Sequence, residues 1–312
     1  GGCGFIGANS VRMLLSAGYR VRILDISTDR AAYLDGLDLE IVRGDICDFA
    51  TVPDALAGCW AVVHLAAATS VVDSVHDPET TFRVNAAGTL NLLLASLRSG
   101  VSRFVIASSN AVLGEQQPPF AESSAPRPRS PYGASKLAGE AYCAAFHASY
   151  GLETVVLRFA NAYGPFSLHK SSVVARFLKA LMNGQPLTIY GDGLQTRDFI
   201  YVSDVARAIV LALQQDDAGD LFQIGSGRET SIIDLAHMLQ MATGIEPALN
   251  FRPQPAGEVR RNYSSIDHAR RRLGFEPSVH LQTGLAETFH WFMSERATTS
   301  IRRRANDDVA RR

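Results

Sequence analysis

The 312-residue sequence has few cysteines, no long apolar run and no excess of either charge. Its four cysteines, Cys3, Cys47, Cys59 and Cys143, show neither C-x-x-C spacing nor a histidine pattern typical of a metal site. We therefore predict no metal centre, and reduced thiols in a cytoplasmic protein. No stretch approaches the roughly 18 uninterrupted apolar residues of a membrane span, and no signal peptide is visible. The 30 basic and 31 acidic residues nearly balance, which argues against a nucleic-acid or membrane partner.

Residues 130–150 have the features of one long helix. Ser130 can cap the helix N-terminus, and Pro131 suits the first helical position, where a missing N–H has no cost. Tyr132 and Lys136 are four residues apart, so on a helix they lie on one face. A nearby ammonium group lowers the pKa of a phenol from about 10 toward neutral pH, where the phenolate can act as a general base. The alternative is an exposed helix pair without a catalytic role.

The first seven residues, GGCGFIG, match the glycine-rich turn that opens a helix in dinucleotide-binding folds. A helix is predicted directly afterwards, over residues 8–17, and Gly18 ends it. The next strand, residues 21–24, ends in Asp25, 18 residues after Gly7. A carboxylate there would accept hydrogen bonds from ribose hydroxyls and repel a 2′-phosphate, so we predict NAD rather than NADP. Asp25 also argues against the alternative that the glycines are a flexible terminus.

Strands and helices alternate through the first half of the chain. Short apolar strands are predicted over residues 39–42, 61–65 and 103–107, with helices over residues 51–57 and 78–98 between them. Such alternation predicts a doubly wound parallel α/β sheet with its active site beyond the carboxyl ends of the strands. His64 is predicted to be a buried, hydrogen-bonded strand-end histidine rather than a catalyst. Ser109, the Tyr132–Lys136 pair and the glycine turn would meet at that edge.

Seven motifs follow one another in a specific order: GGCGFIG, Asp25, GDI at 44–46, HLAA at 64–67, SSNAVLG at 108–114, PYGASK at 131–136 and LRFANAYGP at 157–165. This order resembles the extended short-chain dehydrogenase/reductase family. Within it, the chain is most similar to the NAD-dependent nucleotide-sugar epimerase/dehydratase group, and there to UDP-glucose 4-epimerases. Residues 186–208 and 257–275 resemble the group as well. The resemblance implies a Rossmann NAD-binding domain and a smaller C-terminal substrate-binding domain.

The resemblance also implies the residues that bind NAD and react. The glycine turn would cradle the pyrophosphate at a helix N-terminus, where N–H groups and the helix dipole favour anions. Tyr132 would be the catalytic base, and Lys136 would bind the nicotinamide ribose and lower the pKa of that phenol. Ser109 would hydrogen-bond the reacting sugar oxygen, the alternative being a serine that caps the strand end. The implied cofactor contacts are Gly1, Gly4, Phe5, Ile6, Gly7, Asp25, Asp45, Ile46, Leu65, Ala66, Ala67, Asn85, Tyr132 and Lys136.

The implied substrate is a nucleotide-diphosphate sugar, most similar to a UDP-sugar. Asn161, Arg197 and Arg260 would hold the diphosphate, because the planar guanidinium fork suits phosphate oxygens. Thr188 and Tyr190 would hold the uracil base, and Ser109 would contact the sugar. The alternative for Arg260 is a surface arginine, since Arg261 follows it directly.

The sequence departs from the group at four places. Sugar dehydratases carry an Asp-Glu pair directly after the Ser/Thr, where this chain has Asn110 and Ala111. Ala111 can transfer no proton, so dehydration and decarboxylation by the usual routes are not expected. Leu113 stands where a tyrosine is common. Pro255 replaces an arginine of the nucleotide side, which leaves that part of the clamp open.

These features predict 4-epimerisation of a UDP-sugar through a transient 4-keto sugar. One alternative is an NAD(P)H-dependent reductase of a nucleotide 4-keto sugar, which would use the same Tyr132–Lys136 pair. The other is a non-catalytic NAD-sensing protein, which would need no such constellation. Turnover without added NADH would distinguish the first two.

The predicted domains interleave along the chain. Residues 1–161 and 198–224 would form the NAD-binding domain, residues 162–197 and 225–295 the substrate-binding domain, and residues 296–312 a disordered tail. The first, central strand of the sheet is not visible in the sequence, so we expect about six to nine apolar residues to precede Gly1 in a longer form. Small residues on the 130–150 helix, with the 78–98 helix, predict a four-helix contact in a homodimer.

Overall fold

The computed structural model describes residues 1–216, 218–254 and 259–310, with side chains described as far as residue 297. The first half alternates strands and helices, as the sequence predicts. Its elements are α1 (Phe5–Ser16), β1 (Arg22–Asp25), β2 (Glu40–Arg43), α2 (Val52–Leu56), β3 (Ala61–His64), α3 (Val71–His76), α4 (Pro78–Phe82), α5 (Gly88–Arg98), β4 (Arg103–Ser109) and α6 (Pro131–Tyr150). Short 3₁₀ segments lie at Ala31–Leu34 and Asn110–Val112. A π-helical segment, Arg83–Ala87, joins α4 to α5.

The second half of the chain adds further strands and helices. Its elements are β5 (Glu153–Phe159), β6 (Asn161–Tyr163), α7 (Val173–Met182), β7 (Leu187–Tyr190), β8 (Thr196–Arg197), β9 (Phe199–Tyr201), α8 (Val202–Gln214), β10 (Asp220–Ile224), β11 (Thr230–Ser231), α9 (Ile232–Thr243), β12 (Leu249–Arg252), β13 (Arg261–Asn262), α10 (Asp267–Leu273) and α11 (Leu281–Ala310).

The main sheet has the strand order β10-β5-β4-β3, and all its pairings are parallel. Successive residues of β4 point to opposite faces, as strand geometry requires. Val105 packs with α1 and α8 in one apolar cluster, whereas Phe104 and Ile106 pack with α5 and α6 in another. Helices therefore cover both faces of the sheet, which is why the central residues of its strands are mostly apolar.

Strands β1 and β2 form a separate parallel pair, and a cavity of about 190 Å³ lies between β1 and β3. Ile23 and Leu24 line one side of the cavity, Val62 and Val63 the other. At the carboxyl end of the gap, the backbone nitrogen of Gly1 donates to the Leu24 carbonyl at 2.6 Å. Among the described residues no strand occupies this gap, which is where the sequence predicts the first, central strand.

A second apolar cluster lies outside the main sheet. It is built by α7, β7, α9 and α11, with Phe177, Leu187, Leu235 and Phe292 fully buried. Helix α11 continues to Ala310 and so covers residues 296–310, for which the composition predicts a disordered tail. Arginine and alanine, frequent in that segment, have high helix propensity, and the helix extends through them. Residues 311 and 312 lie outside the described residues.

Candidate active site

The glycine turn lies against the ends of β1 and β3. Gly4 precedes α1, whose first N–H groups receive no side-chain cap. A Cβ added to Gly1 would stand 2.5 Å from the backbone nitrogen of Ala66, and one added to Gly7 would collide with the Gly1 carbonyl. Only glycine therefore permits this close packing. The free N–H groups at a helix N-terminus fit a pyrophosphate, so the residues present suit a dinucleotide.

Two carboxylates end neighbouring strands beside the turn. Asp25, at the end of β1, accepts hydrogen bonds from the backbone nitrogens of Cys3 (3.0 Å) and Ser27 (3.2 Å). These bonds fix the carboxylate directly beside the glycine turn, where a ribose would bind. Asp45 follows β2 and accepts from the backbone nitrogen of Cys47 at 2.9 Å. Ile46 is buried, and Phe5 is buried under the turn while Ile6 is half-buried.

Asn85 fixes the segment that follows β3. Its side chain accepts from the Ala68 nitrogen (2.8 Å), donates to the Ala68 carbonyl (2.9 Å) and donates to the Ser135 hydroxyl (3.0 Å). Asn85 is buried, whereas Leu65, Ala66 and Ala67 are half-buried along the same edge. Asn85 thus links the segment after β3 to helix α6 at Ser135, the residue before Lys136. The half-buried backbone of residues 65–67 leaves room for a cofactor.

Tyr132 and Ser109 lie together at the carboxyl end of β4. Ser130 caps α6 by accepting from the Gly133 nitrogen at 3.1 Å, which places Tyr132 in the first turn. Burial raises the pKa of the Tyr132 phenol, and a hydrogen bond with Ser109 opposes that effect. The Ser109 hydroxyl also accepts from the Ala111 nitrogen (3.2 Å), so it is the strand-end cap and the partner of Tyr132 at once.

Lys136 is buried one helical turn beyond Tyr132. Its ammonium donates to the Ala107 carbonyl at 3.0 Å, two residues before Ser109. Burial lowers the pKa of Lys136 to about 8, and the carboxylate of Glu140 opposes this. The sequence predicts that Lys136 lowers the pKa of Tyr132. In the protein alone, however, desolvation is the larger effect and the phenol's pKa is raised.

His64 is a satisfied core histidine, as the sequence predicts. Its Nε2 lies 2.8 Å from the Thr89 hydroxyl, and that hydroxyl donates to the Asn85 carbonyl. Burial, with the nearby Lys136 ammonium, holds the pKa of His64 well below its usual value. The ring is therefore neutral at physiological pH.

The residues after Ser109 point away from proton-transfer chemistry. Asn110 is buried, and its amide donates to the Ser264 hydroxyl at 3.0 Å. Its side chain therefore contacts the segment that precedes α10. Ala111 is half-buried and carries no polar group. Leu113 is fully buried against Phe120 and Leu137. Asn110 and Leu113 therefore contribute to packing in the interior and not to proton transfer.

A second pocket, of about 380 Å³, lies beyond the end of β5. Because Ser109 pairs with Phe159 in the sheet, Asn161 follows β5 at the same edge as Tyr132. Four predicted substrate residues line this pocket: Asn161, Thr188, Tyr190 and Arg197. Arg260 is not among the pocket-lining residues. Its exposed guanidinium forms a two-point ion pair with Asp192 at 2.7 and 2.9 Å.

Other pocket residues escape sequence reasoning. Gln195 is buried and donates to the Tyr190 carbonyl at 2.8 Å, and Arg176 places its guanidinium 5.8 Å from the Tyr190 ring centroid. Ser171, Ser172 and Ile232 complete the wall. Arg176 lies on the polar side of an amphipathic helix, which was the one available signal. The position of α7 in the fold could not be read from the sequence.

The family of NAD-dependent epimerases and dehydratases matches residues 1–225 of this chain. The chain belongs to this family. It is 36% identical over 311 residues to a dTDP-glucose 4,6-dehydratase of Streptomyces niveus, covering 95% of this chain and 92% of that protein. It is also 36% identical over 306 residues to a UDP-glucose 4-epimerase of Mycolicibacterium smegmatis, covering 95% and 97%.

Solved structures agree with this epimerase/dehydratase assignment. The crystal structure of UDP-glucose 4-epimerase from Thermotoga maritima, determined with UDP-glucose, superposes with a TM-score of 0.90 at 34% identity. It covers 95% of this chain and 97% of that one. The Rossmann fold, the NAD cofactor and the family predicted from the sequence are thereby confirmed. The relatives include both epimerases and dehydratases, so they define an enzyme class rather than one reaction.

In the described part of the chain, no helix is long and apolar enough to cross a bilayer.

Proposed function

We propose that this enzyme is an NAD-dependent 4-epimerase of a UDP-sugar. The observation that carries the proposal is the composition of the β4 edge. It brings Tyr132, Ser109 and Lys136 together at the carboxyl end of β4, while the two residues after Ser109 are a buried asparagine and an alanine. Dehydration needs a further acid and base at this point. Epimerisation at C4 needs only one base and one hydride acceptor.

Tyr132 is the base of this mechanism, and it removes the proton of the sugar 4-hydroxyl. Ser109 forms a hydrogen bond with the phenol and also hydrogen-bonds the 4-oxygen of the sugar in the transition state. NAD, held by the glycine turn and Asp25, would supply the hydride acceptor for C4 and the hydride donor for the opposite face of the keto sugar. Between these steps the sugar turns about its diphosphate link. Tyr132 then gives the proton back, and the protein is regenerated without net oxidation.

Lys136 gives the phenolate its charge partner. Its ammonium is anchored on the Ala107 carbonyl and lies one turn from Tyr132. Burial raises the pKa of Tyr132 in the protein alone, and the positive nicotinamide ring of bound NAD would add charge that favours the phenolate.

The second pocket suits the nucleotide. The Tyr190 ring offers a stacking surface. Asn161 and Arg197 line the same pocket and donate to the Asp198 and Val259 carbonyls, and they would also donate to phosphate oxygens of a bound nucleotide. Arg260 would join them only after exchanging Asp192 for a phosphate, a change of partner available to an exposed ion pair. The charge of the pocket matches a nucleoside diphosphate.

A panel of UDP-sugars, incubated with the enzyme without added NADH, tests the proposal. We expect mass spectrometry and NMR to show a 4-epimer of unchanged mass at equilibrium with its substrate. Loss of 18 mass units would indicate dehydration instead. Turnover only with stoichiometric NADH would favour a keto-sugar reductase.

Tyr132→Phe is the decisive variant. It removes the base, so we expect epimerisation to fall by about three to four orders of magnitude or more while NAD still binds. Tyr142→Phe, an exposed tyrosine on the same helix, is the matched control and should retain full activity. Equal activity in both variants would contradict the role of Tyr132.

A further inference from the structure

Helix α6 carries a buried carboxylate that the proposed mechanism does not use. Glu140 lies one turn beyond Lys136, and its side chain is 6% exposed. Arg158, 3% exposed, donates to it from Nε at 2.8 Å and from Nη2 at 2.7 Å. The Ser108 hydroxyl donates to the same carboxylate. Glu140 therefore accepts three hydrogen bonds in the interior between helix and sheet.

These bonds tie α6 to the sheet directly below the reacting groups. Ser108 and Arg158 are register partners across β4 and β5, and the next row of the sheet pairs Ser109 with Phe159. Glu140 thus contacts β4 at Ser108, one residue before Ser109, and β5 at Arg158. Lys136 makes a further tie, on the Ala107 carbonyl. The distance between α6 and the end of β4 is set by these contacts, and Tyr132 meets Ser109 at that distance.

The carboxylate also sets the charge around Lys136. Burial alone would favour a neutral lysine, and the pKa of Lys136 already lies at about 8. Glu140 raises it, and so keeps the ammonium charged at neutral pH. The other titratable or charged groups around this pair are Tyr132 and Cys143 on α6 itself, His64 on β3 and Arg158 on β5. His64 is neutral and hydrogen-bonded to Thr89, so it cannot replace the carboxylate.

A buried ion pair is by itself weak evidence for stability, because an apolar pair of similar volume often serves as well. This pair lies next to Lys136, and burial disfavours the charged form of that lysine. The position suggests a role in catalysis rather than in stability. We propose that Glu140 is a positioning residue that holds Lys136 as an ammonium and keeps α6 in register with Ser109. Its catalytic consequence rests on the proposed function, whereas its effect on Lys136 does not.

The chain offers an unusually clean test, since its only lysines are Lys136, Lys170 and Lys179. With ¹³C-labelled lysine, the Cε signals can be titrated in the full chain without substrate, and Lys136→Arg assigns the signal of interest. We expect Glu140→Gln to lower the pKa of Lys136 by about one unit or more. Lys170 and Lys179 should titrate as before. An unchanged or raised pKa of Lys136 would overturn the proposal.

Glu153→Gln is the matched control. Glu153 pairs with Arg103 across the same two strands, but at their amino ends, far from Lys136 along the sheet. This variant should leave the Lys136 titration unchanged. If Glu140→Gln does not fold, the double variant Glu140→Gln/Arg158→Met removes both buried charges. A smaller downward shift is expected there, because loss of the Glu140 carboxylate lowers the pKa of Lys136 while loss of the Arg158 charge partly offsets it. An unchanged or raised pKa of Lys136 counts against the proposal.

Activity provides the second readout. A structural defect lowers kcat equally at every pH, whereas loss of the ammonium moves the alkaline limb of the kcat profile to lower pH. We expect that limb to shift by about the amount seen in the NMR titration, and retention of the wild-type limb would contradict the proposal. A shifted titration in a protein that converts no UDP-sugar would support the role of Glu140 and contradict the proposed function.

Discussion

Tyr132 has two opposing influences on its phenol in the structure. Removal from water raises its pKa, and the hydrogen bond with Ser109 lowers it. Lys136 does not reverse the balance: its ammonium donates to the Ala107 carbonyl, and burial lowers its own pKa to about 8. A further positive charge near the phenol, such as that of an oxidised nicotinamide ring, would lower this pKa.

Replacing Ser109 by alanine removes the one interaction that lowers the phenol's pKa. The phenolate is the reacting form, so a higher pKa moves the ascending limb of the kcat–pH profile to higher pH. A hydrogen bond to a charged group contributes about 1.5 kcal/mol or more, so kcat at neutral pH should fall about ten-fold or more. Epimerisation rates measured across the pH range would show partial recovery at alkaline pH. A fall of the same size at every pH would contradict this account.

The residues that react could be predicted because they occupy short motifs with strong local signals. Ser130, Pro131, Tyr132 and Lys136 lie within one helical start, and the cap that Ser130 makes is the predicted one. The acceptor of Lys136 could not be predicted, since Ala107 contributes only its backbone. The pocket residues Gln195 and Arg176 come from elements brought together by the fold alone, so no spacing in the sequence announces them.

The elements show where periodicity stops being informative. Residues 78–98 are predicted as one helix from their leucines, yet they form α4, a π-helical segment and α5. The π segment contains Asn85, which bonds to Ala68 and Ser135. A π turn changes the hydrogen-bond register without changing the local composition, so the apolar pattern does not reveal it. Strands β1 to β4, by contrast, lie within about two residues of their predicted positions.

The gap between β1 and β3 supports a prediction about the sheet. Its walls are apolar side chains of both strands, and the Gly1 nitrogen already bonds to β1. A chain in which about six to nine apolar residues precede Gly1 could pair there in parallel with both strands. We expect such a chain to melt about 10 °C or more above the 312-residue chain, and to bind NAD more tightly because the glycine turn is then anchored.

The control for this experiment is an extension of the same length that contains prolines and polar residues, which cannot pair as an inner strand. Calorimetry gives the melting temperatures and titration calorimetry the NAD affinity. If the two extended chains melt together, the gap does not accept a strand.

At the scale of the whole molecule, we propose the interleaved domains that the sequence predicts. The second apolar cluster supports the division, since most of it comes from residues 162–197 and 225–295. Phe199 and Tyr201 also pack into that cluster, so β9 joins the two parts, and Phe199 lines the second pocket. The sequence could not show this, because no local pattern marks which strand packs against a cluster built from distant residues.

The outer surface of α6 leads to the last prediction. Helices α3 and α4 pack beside α6, and together they expose large apolar side chains, with Val75 at 62% and Phe82 at 63%. On α6 itself Tyr142 is exposed, together with Ala141, Ala144, Ala145 and Ala148. Small residues let a partner helix approach closely, and exposed large apolar side chains on neighbouring helices are typical of a protein interface. We propose that it binds the same surface of a second copy.

Sedimentation at micromolar concentration should show a dimer for the unmodified chain. Ala145→Arg would bury an unpaired charge in the contact, so we expect a monomer. Met241→Arg, at an exposed position on α9, adds the same charge away from this surface and should leave the dimer intact. A monomeric unmodified chain would reject the proposal. A dimer unaffected by Ala145→Arg would place the contact elsewhere, because a guanidinium on α6 cannot be accommodated between two closely packed helices.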